Sequence, residues 1–167
     1  MKTNRITKTA LLTGIALIIH VLEAQLPPIV PVPGVKLGLA NVVTLLSLYM
    51  LSPRETVLVV ACRLLLGSFF SGGWSQLMYA AAGSFLSLCV MMPLCRITPP
   101  KYMFLPSVLS AAAHNLGQLM VAVLVTCTPA LFMYLPILTV SGCAAGLFTG
   151  LCAAAVYDRF SKTGKSA

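Results

Sequence analysis

A cluster of hydrogen-bonding side chains interrupts an apolar segment in the second half of the chain. The run SAAAHNLGQLM, residues 110–120, contains His114, Asn115 and Gln118 within five positions. At 3.6 residues per helical turn, these side chains fall within about 100° of arc and share one helical face. Imidazole and amide groups both donate and accept hydrogen bonds, so this face indicates either a ligand site or hydrogen bonding between helices.

Four further polar residues lie in or beside apolar segments, namely Glu23, Lys36, Asn41 and Arg63. Ionisable side chains inside a bilayer are costly and usually face a protein interior or a cavity. Together with the cluster at 114–118, they predict a belt of small-molecule contacts at the middle and outer levels of the protein. Lys36 and Arg63 favour the hypothesis that the ligand carries anionic groups, either phosphate or carboxylate.

Structural roles compete with ligand binding at these positions. Asn41 and Gln118 serve at least equally well as hydrogen bonds between helices. Arg63 is also explained by an ion pair with Glu23 or by capping of a backbone carbonyl. His20, three residues before Glu23, is more typical of a packed or interfacial histidine. The polar belt is therefore read as a pocket, with interhelical hydrogen bonding as the alternative.

Residue patterns that would support catalysis are missing from the chain. Three acidic residues, Glu23, Glu55 and Asp158, form no DDxxD-type cluster that could hold Mg²⁺ on a diphosphate. Motifs of the types GxxxxGK[ST], GxSxG and HExxH are also missing. Two histidines and six cysteines show no metal-ligand spacing. We therefore expect a protein that is not an enzyme and that uses neither a metal nor a cofactor.

The composition identifies the elements that must position these residues. Residues of the AVILMFWYC set make up 59% of the chain, charged residues 8%, and the mean hydropathy is +0.97, whereas soluble domains carry about 25% charged residues. The chain is therefore predicted to be an all-α integral membrane protein with one polytopic domain, residues 1–167. Apolar runs between Pro, Gly and charged residues predict six transmembrane helices, at about 7–25, 37–51, 55–70, 76–94, 102–125 and 131–157.

Basic residues determine the expected orientation. If the six spans alternate in direction, nine basic residues fall on one side of the membrane: Lys2, Arg5, Lys8, Arg54, Arg96, Lys101, Arg159, Lys162 and Lys165. Only Lys36 falls on the other side. This positive-inside bias predicts that both termini are cytoplasmic. The net charge of +8 therefore reports topology, and we expect no nucleic-acid partner. Trp74, on the outer side, is typical of an interface anchor, with closure of a pocket mouth as the alternative.

Small residues recur four positions apart on two of the predicted helices. Ala10 and Gly14 lie on the first helix, and the sixth carries Gly142, Gly146 and Gly150. Such faces allow close approach of helices in a membrane. For the sixth helix we favour packing inside the protein, and for the first helix docking to another membrane protein is an open alternative.

Five segments together carry a resemblance to a known family: PGVKLGLANVVTLLSLY, RLLLGSFFSGGWS, AAGSFLS, HNLGQLMVA and LPILTVSGCAAGLFTGL. They resemble the bacterial Gx transporter family, also called heptaprenyl diphosphate synthase component I, over nearly the whole chain. That family is similar to the substrate-binding S components of energy-coupling factor (ECF) transporters, which are six-helix proteins.

The S-component likeness implies binding of a small metabolite from the outside, such as a vitamin, a flavin or an isoprenoid- or quinone-related molecule. It assigns the proline-containing loop 26–36 to covering the site and the Ala10/Gly14 face to docking a membrane coupling protein. S components typically show AxxxA at this face, and the second small residue here is Gly14. Separate ATPases would drive transport by toppling of the bundle.

The family's second name implies an alternative. In that reading the chain is a non-catalytic membrane subunit associated with heptaprenyl diphosphate or menaquinone synthesis, and its partner is a prenyl synthase.

Overall fold

The described part of the chain is built from helices. The computed structural model describes residues 2–25, 39–71 and 73–163, and within these ranges there is no β-strand. Lys36 and the predicted covering loop 26–36 lie outside the described residues. The long helices are α1 (Lys2–Gln25), α2 (Asn41–Met50), α3 (Pro53–Ser71), α4 (Gly73–Ile97), α5 (Phe104–Thr126) and α6 (Leu135–Thr163). Two short 3-10 helices, Pro100–Tyr102 and Pro129–Tyr134, precede α5 and α6.

Local sequence explains how α3 begins and how α5 ends. The Glu55 carboxylate accepts hydrogen bonds from the Ser52 amide and hydroxyl at 2.7 and 2.8 Å, while the Glu55 amide donates to the Ser52 hydroxyl at 3.4 Å. This reciprocal capping box, with Pro53 at the first helical position, starts α3. Cys127 follows α5 in the left-handed region, with φ of 49°, a conformation that usually ends a helix at glycine or asparagine.

Contacts at one end of the bundle establish that the helices run alternately up and down. Arg5 Nη1, near the start of α1, lies 3.8 Å from Glu55 Oε1 at the start of α3. The Tyr49 hydroxyl at the end of α2 donates to the Thr98 carbonyl after α4, at 3.0 Å. The ring of Tyr49 also meets that of Tyr157 near the end of α6, with centroids 6.1 Å apart. Starts of odd-numbered helices and ends of even-numbered helices therefore lie together.

We call this end the basic end because seven exposed cations lie near it, Arg5, Lys8, Arg54, Arg96, Lys101, Arg159 and Lys162. The opposite, far end includes the end of α3 and the start of α4. Phe69 and Trp74 in these two helices are 92% and 83% exposed. A cluster of cations at one end and an exposed tryptophan at the other are typical of the two interfaces of a membrane protein.

Four segments of the described chain are long and apolar enough to cross a membrane, at Asn4–Gln25, Gly73–Ile97, Phe104–Thr126 and Pro129–Lys162. They correspond to the first, fourth, fifth and sixth predicted spans. The second predicted span, 37–51, contains the 10-residue helix α2, which is apolar but short. The third corresponds to α3, where Arg54, Glu55 and Arg63 fall within 19 residues. The all-helical fold of the described residues is thus confirmed. The four long apolar helices are compatible with a multi-pass membrane protein, and the count of six spans stays a prediction.

The glycines of α6 allow it to pack closely on α5. A Cβ atom added to Gly146 would lie 2.7 Å from the Cα of Val108, and one added to Gly150 would lie 2.5 Å from the Cα of Phe104. These distances to backbone atoms leave no room for a side chain. The expectation that the small residues of the sixth helix serve internal packing is confirmed.

Candidate functional site

Buried polar side chains from several helices surround one small cavity, which we call the central cavity. Its lining comes from α1, α3, α4, α5 and the residue before α2, namely His20, Glu23, Ala40, Arg63, Gln76, Ala80, Ser84, His114 and Gln118. The cavity volume is about 20 Å³, enough for one water-sized group. It extends from the middle of α3 and α5 toward the far end, since the lining residues of α1 and α4 lie near that end.

Arg63 reaches the cavity from the middle of α3. It follows Pro53 by ten residues, which places it about 15 Å along the helix from the basic end at 1.5 Å per residue. The side chain is 3% exposed, and its Nη2 donates a hydrogen bond to the Ser84 hydroxyl at 2.9 Å. Its Nε has no hydrogen-bond partner among the described residues. A buried cation with an unused donor is costly unless a ligand or water meets it.

Glu23 and His20 enter the cavity from α1. They are separated by three residues and therefore share a helical face, and both side chains are buried. The Glu23 carboxylate is close enough to Arg63 for an attractive electrostatic interaction. Across from α1, a Cβ atom on Gly67 of α3 would overlap the His20 imidazole. The glycine thus leaves room for a polar side chain at the α1–α3 contact.

His114 and Gln118 line the cavity from α5. The spacing of four residues puts them one turn apart, as the sequence pattern predicts. A Cβ atom on Gly83 of α4 would lie 2.9 Å from both His114 Cε1 and Gln118 Cγ, so Gly83 gives both side chains their space. Nδ1 of His114 has no hydrogen-bond partner within the described ranges. This imidazole nitrogen is available to a bound molecule.

Asn115 takes a different direction from its neighbours on α5. Its Nδ2 donates to the Leu138 carbonyl of α6 at 2.7 Å, and Gly142 leaves the space for this amide. Asn115 is not among the residues that line the cavity. Its observed contact is the interhelical hydrogen bond that the sequence left open as an alternative, and a ligand contact stays a prediction.

Asn41 is buried as the first residue of α2, and its Nδ2 lacks a hydrogen-bond partner among residues 2–25, 39–71 and 73–163. The preceding residue, Ala40, lines the cavity, whereas Asn41 itself does not. The structure therefore brings Glu23, Arg63, His114 and Gln118 together. It places Asn41 beside this group, and Lys36 lies outside the described residues.

Two polar lining residues on α4 are additions to the set predicted from sequence. Gln76 and Ser84 flank Ala80 at intervals of four, so the three residues form one stripe along α4. This i, i+4, i+8 pattern was visible in the sequence. Single serine and glutamine residues are nevertheless common in apolar helices, and only the neighbouring helices reveal which face meets the cavity.

The predicted docking face on α1 is open. Ala10 and Gly14 are exposed, and a Cβ atom on Gly14 would meet no atom of the described residues within 4 Å. These residues contrast with the glycines of α6, which are packed against α5. The face is available to another protein or to lipid.

Comparison with known proteins yields one family match. The family model described as heptaprenyl diphosphate synthase component I matches residues 12–156. The matched range runs from Leu12 in α1 to Val156 in α6 and includes every residue that lines the central cavity. No curated protein and no solved structure matches the chain.

Proposed function

The chain belongs to the heptaprenyl diphosphate synthase component I family, and we propose that it acts as a substrate-binding membrane subunit similar to an ECF S component. Component I is a non-catalytic subunit, so the chain is not an enzyme by itself. In this proposal, a small metabolite such as a vitamin, a flavin or an isoprenoid- or quinone-related molecule binds at the central cavity, which has room for one of its polar groups. Separate coupling and ATPase subunits supply the energy for transport.

The convergence of Glu23, Arg63, His114 and Gln118 on one cavity carries the proposal. A membrane protein that needed only to hold its helices together could do so with small and apolar residues. Burying a cation, an acid and two hydrogen-bonding groups beside a cavity is costly and usually marks a path or a site for a ligand. The unused Nε of Arg63 and Nδ1 of His114 are groups that such a ligand would engage.

The proposed membrane placement has six crossing helices, with α2 and α3 included. The alternating helix directions, the cluster of cations at the basic end and the exposed Trp74 at the far end support this placement. The basic end and both termini then face the cytoplasm of a bacterial cell. The cavity lies in the outer half, which suits capture of a molecule from outside.

The open Ala10/Gly14 face supports docking of a coupling protein. Small residues permit close backbone approach between membrane helices, and this part of α1 makes no close contact of its own at Gly14. Toppling of the bundle after docking would carry the cavity from the outer to the inner side.

Native mass spectrometry of the protein, gently extracted from its own membrane, tests the proposal directly. We expect a retained small molecule that is lost in Arg63→Ala and in His114→Ala. Arg96→Ala, which removes a cation from the basic end, serves as the matched control and should retain the molecule. A protein that carries no small molecule, and that arrives with a prenyl synthase instead, would contradict the transport proposal.

The family description favours a second candidate, in which the chain is the membrane partner of a prenyl synthase. It would hold the soluble enzyme at the membrane in heptaprenyl diphosphate or menaquinone synthesis. The exposed cations of the basic end would provide the surface for that enzyme. Copurification discriminates the two candidates, because coupling and ATPase subunits identify a transporter, whereas a prenyl synthase identifies the scaffold.

A further inference from the structure

We propose that Ser84 of α4 is a positioning residue of the central cavity: its hydroxyl fixes the direction of the Arg63 guanidinium and thereby determines how tightly the bound molecule is held. This inference rests on the proposed ligand-binding function and names a residue on which that function depends. It follows from the hydrogen bond between the two side chains, from their burial and from the close packing of α4 at this level.

The Arg63 side chain needs a contact outside its own helix to hold one direction. A long arginine side chain loses much rotamer freedom when it is ordered, and ordering it at the moment of binding weakens affinity. Its guanidinium is planar, and its N–H donors form a rigid fork. A hydrogen bond that holds one nitrogen therefore orients the remaining N–H groups as well, and a site that is preorganised in this way binds more tightly.

Ser84 supplies such a contact from the neighbouring helix. Arg63 Nη2 on α3 donates a hydrogen bond to the Ser84 hydroxyl on α4 at 2.9 Å. Both side chains are 3% exposed, and both line the central cavity. A serine hydroxyl lies a single side-chain torsion from the backbone, so its position follows that of α4 closely. The backbone of α4 thus sets the direction of the guanidinium.

The packing of α4 at this level restrains the hydroxyl further. Gly83, the preceding residue, approaches α5 so closely that an added Cβ atom would lie 2.9 Å from His114 Cε1. Ser84 follows about 100° further around the helix and meets Arg63 of α3. Adjacent residues therefore hold α4 against α5 and present the hydroxyl to α3, so a rigid element carries the contact.

Satisfying a buried cation would be a different, purely structural role for Ser84. Buried polar groups that serve only the fold are normally all hydrogen-bonded. Arg63 Nε is instead buried without a hydrogen-bond partner among the described residues, and the side chain borders a cavity. The hydrogen bond to Ser84 thus directs the guanidinium and leaves a donor for an acceptor atom of the bound molecule.

The order of the guanidinium can be measured without a ligand, on the full-length protein in lipid bilayers. The chain contains five arginines, so ¹⁵N labelling at Nε gives few solid-state NMR signals, and loss of one signal in Arg63→Lys identifies that of Arg63. We expect its N–H order parameter to fall from about 0.85 to below about 0.6 in Ser84→Ala. Ser87→Ala removes another buried hydroxyl of α4 and is the matched control, which should leave the order parameter unchanged. Equal order in Ser84→Ala and the wild type overturns the inference.

Ligand retention separates positioning from a structural role. The probe is the small molecule retained from the native membrane, followed as added mass on the protein in native mass spectrometry. We expect Ser84→Ala to lower the retained fraction about fivefold or more, while its unfolding temperature matches that of Ser87→Ala. An unchanged retained fraction in Ser84→Ala overturns the inference. Ser84 is structural, and the inference is equally overturned, if Ser84→Ala unfolds well below Ser87→Ala or fails to fold.

A double-mutant cycle tests whether Ser84 acts through Arg63. Arg63→Lys keeps the cation but lacks the planar fork that the hydroxyl orients. In this background, we expect Ser84→Ala to change the retained fraction by less than about twofold, because the group that Ser84 positions is missing. An equal loss in both backgrounds shows that Ser84 acts independently of Arg63 and overturns the inference.

The failure of this inference differs from the failure of the proposed function. A molecule that is lost in Arg63→Ala and fully retained in Ser84→Ala overturns the positioning role and leaves ligand binding intact. A wild-type protein that retains no molecule overturns the proposed function and this inference with it.

Discussion

At the scale of single residues, glycines decide where the buried polar side chains fit. Gly67 makes room for His20, and Gly83 makes room for His114. An imidazole is much larger than the small residues that usually occupy contacts between membrane helices. Each of these two imidazoles is therefore matched by a glycine on the facing helix.

Asn115 and Gln118 lie one turn apart but should respond differently to removal of their amides. Asn115→Ala removes the hydrogen bond to the Leu138 carbonyl, so we expect a loss of about 0.6–1.7 kcal/mol in the free energy of unfolding. Ligand retention should not change. Gln118→Ala should instead weaken ligand retention, because Gln118 lines the cavity. Unfolding in mild detergent and native mass spectrometry provide the two readouts, and the reverse pattern would identify Asn115 as the ligand contact.

At the scale of elements, α6 and α1 use small residues in opposite ways. Gly146 of α6 lies against the backbone of α5, whereas Gly14 of α1 faces open space. The same sequence motif therefore holds the bundle together in one helix and leaves a free surface in the other.

Substitution of these two glycines by alanine should separate the two roles. Gly146→Ala places a methyl group against Val108 and Ser107 backbone atoms, and we expect a loss of about 1–3 kcal/mol in the free energy of unfolding. Gly14→Ala should leave stability unchanged or raise it by up to about 1 kcal/mol, because alanine favours helix. Thermal unfolding of both variants checks this pair. Equal losses would mean that Gly14 is also packed.

The end of α5 offers a test of backbone conformation. Cys127 adopts a φ of 49°, a left-handed conformation that costs a residue with a Cβ atom about 1–2 kcal/mol. Cys127→Gly should therefore preserve or raise the unfolding temperature, and Cys127→Val, with a branched Cβ, should lower it. A Val variant as stable as the Gly variant would show that this helix end relaxes without cost.

At the scale of the whole molecule, the cluster of cations and the exposed Trp74 lie at two ends separated by the length of α3. From Arg54 to Phe69 the helix rises by about 22 Å at 1.5 Å per residue, somewhat less than the hydrocarbon thickness of about 30 Å. Arg63 lies between these limits. The length of α3 thus suits a crossing helix, although its charged residues lower its hydropathy.

The single tryptophan of the chain reports on this placement. Trp74 at the far end should be quenched most by lipids brominated near the headgroup, because exposed tryptophan prefers the interface. Phe85 lies twelve residues into α4 and is also exposed. In a Trp74→Phe, Phe85→Trp variant, quenching should be strongest with bromine deep in the acyl chains. Equal depths for the two positions would contradict the proposed orientation.

The sequence alone was sufficient for the all-helical fold and for four of the nine described residues that line the cavity. Long apolar runs can satisfy their backbone hydrogen bonds in a bilayer only as helices. Polar residues are rare in such runs, so each one indicates a specific role. Glu23, Arg63, His114 and Gln118 were therefore identifiable before the helices were assembled. The spacing of His114 and Gln118 also put them correctly on one face.

Only the tertiary structure decided which neighbours those residues meet. Asn115 follows His114 by about 100° around the helix, and its amide meets the Leu138 carbonyl of α6. Ser84 became part of the cavity because α4 presents it to Arg63. Such contacts depend on how packed helices are rotated and how far apart they lie, and helical periodicity does not fix either. Close approaches between helices, such as that of α4 to His114 at Gly83, determine both.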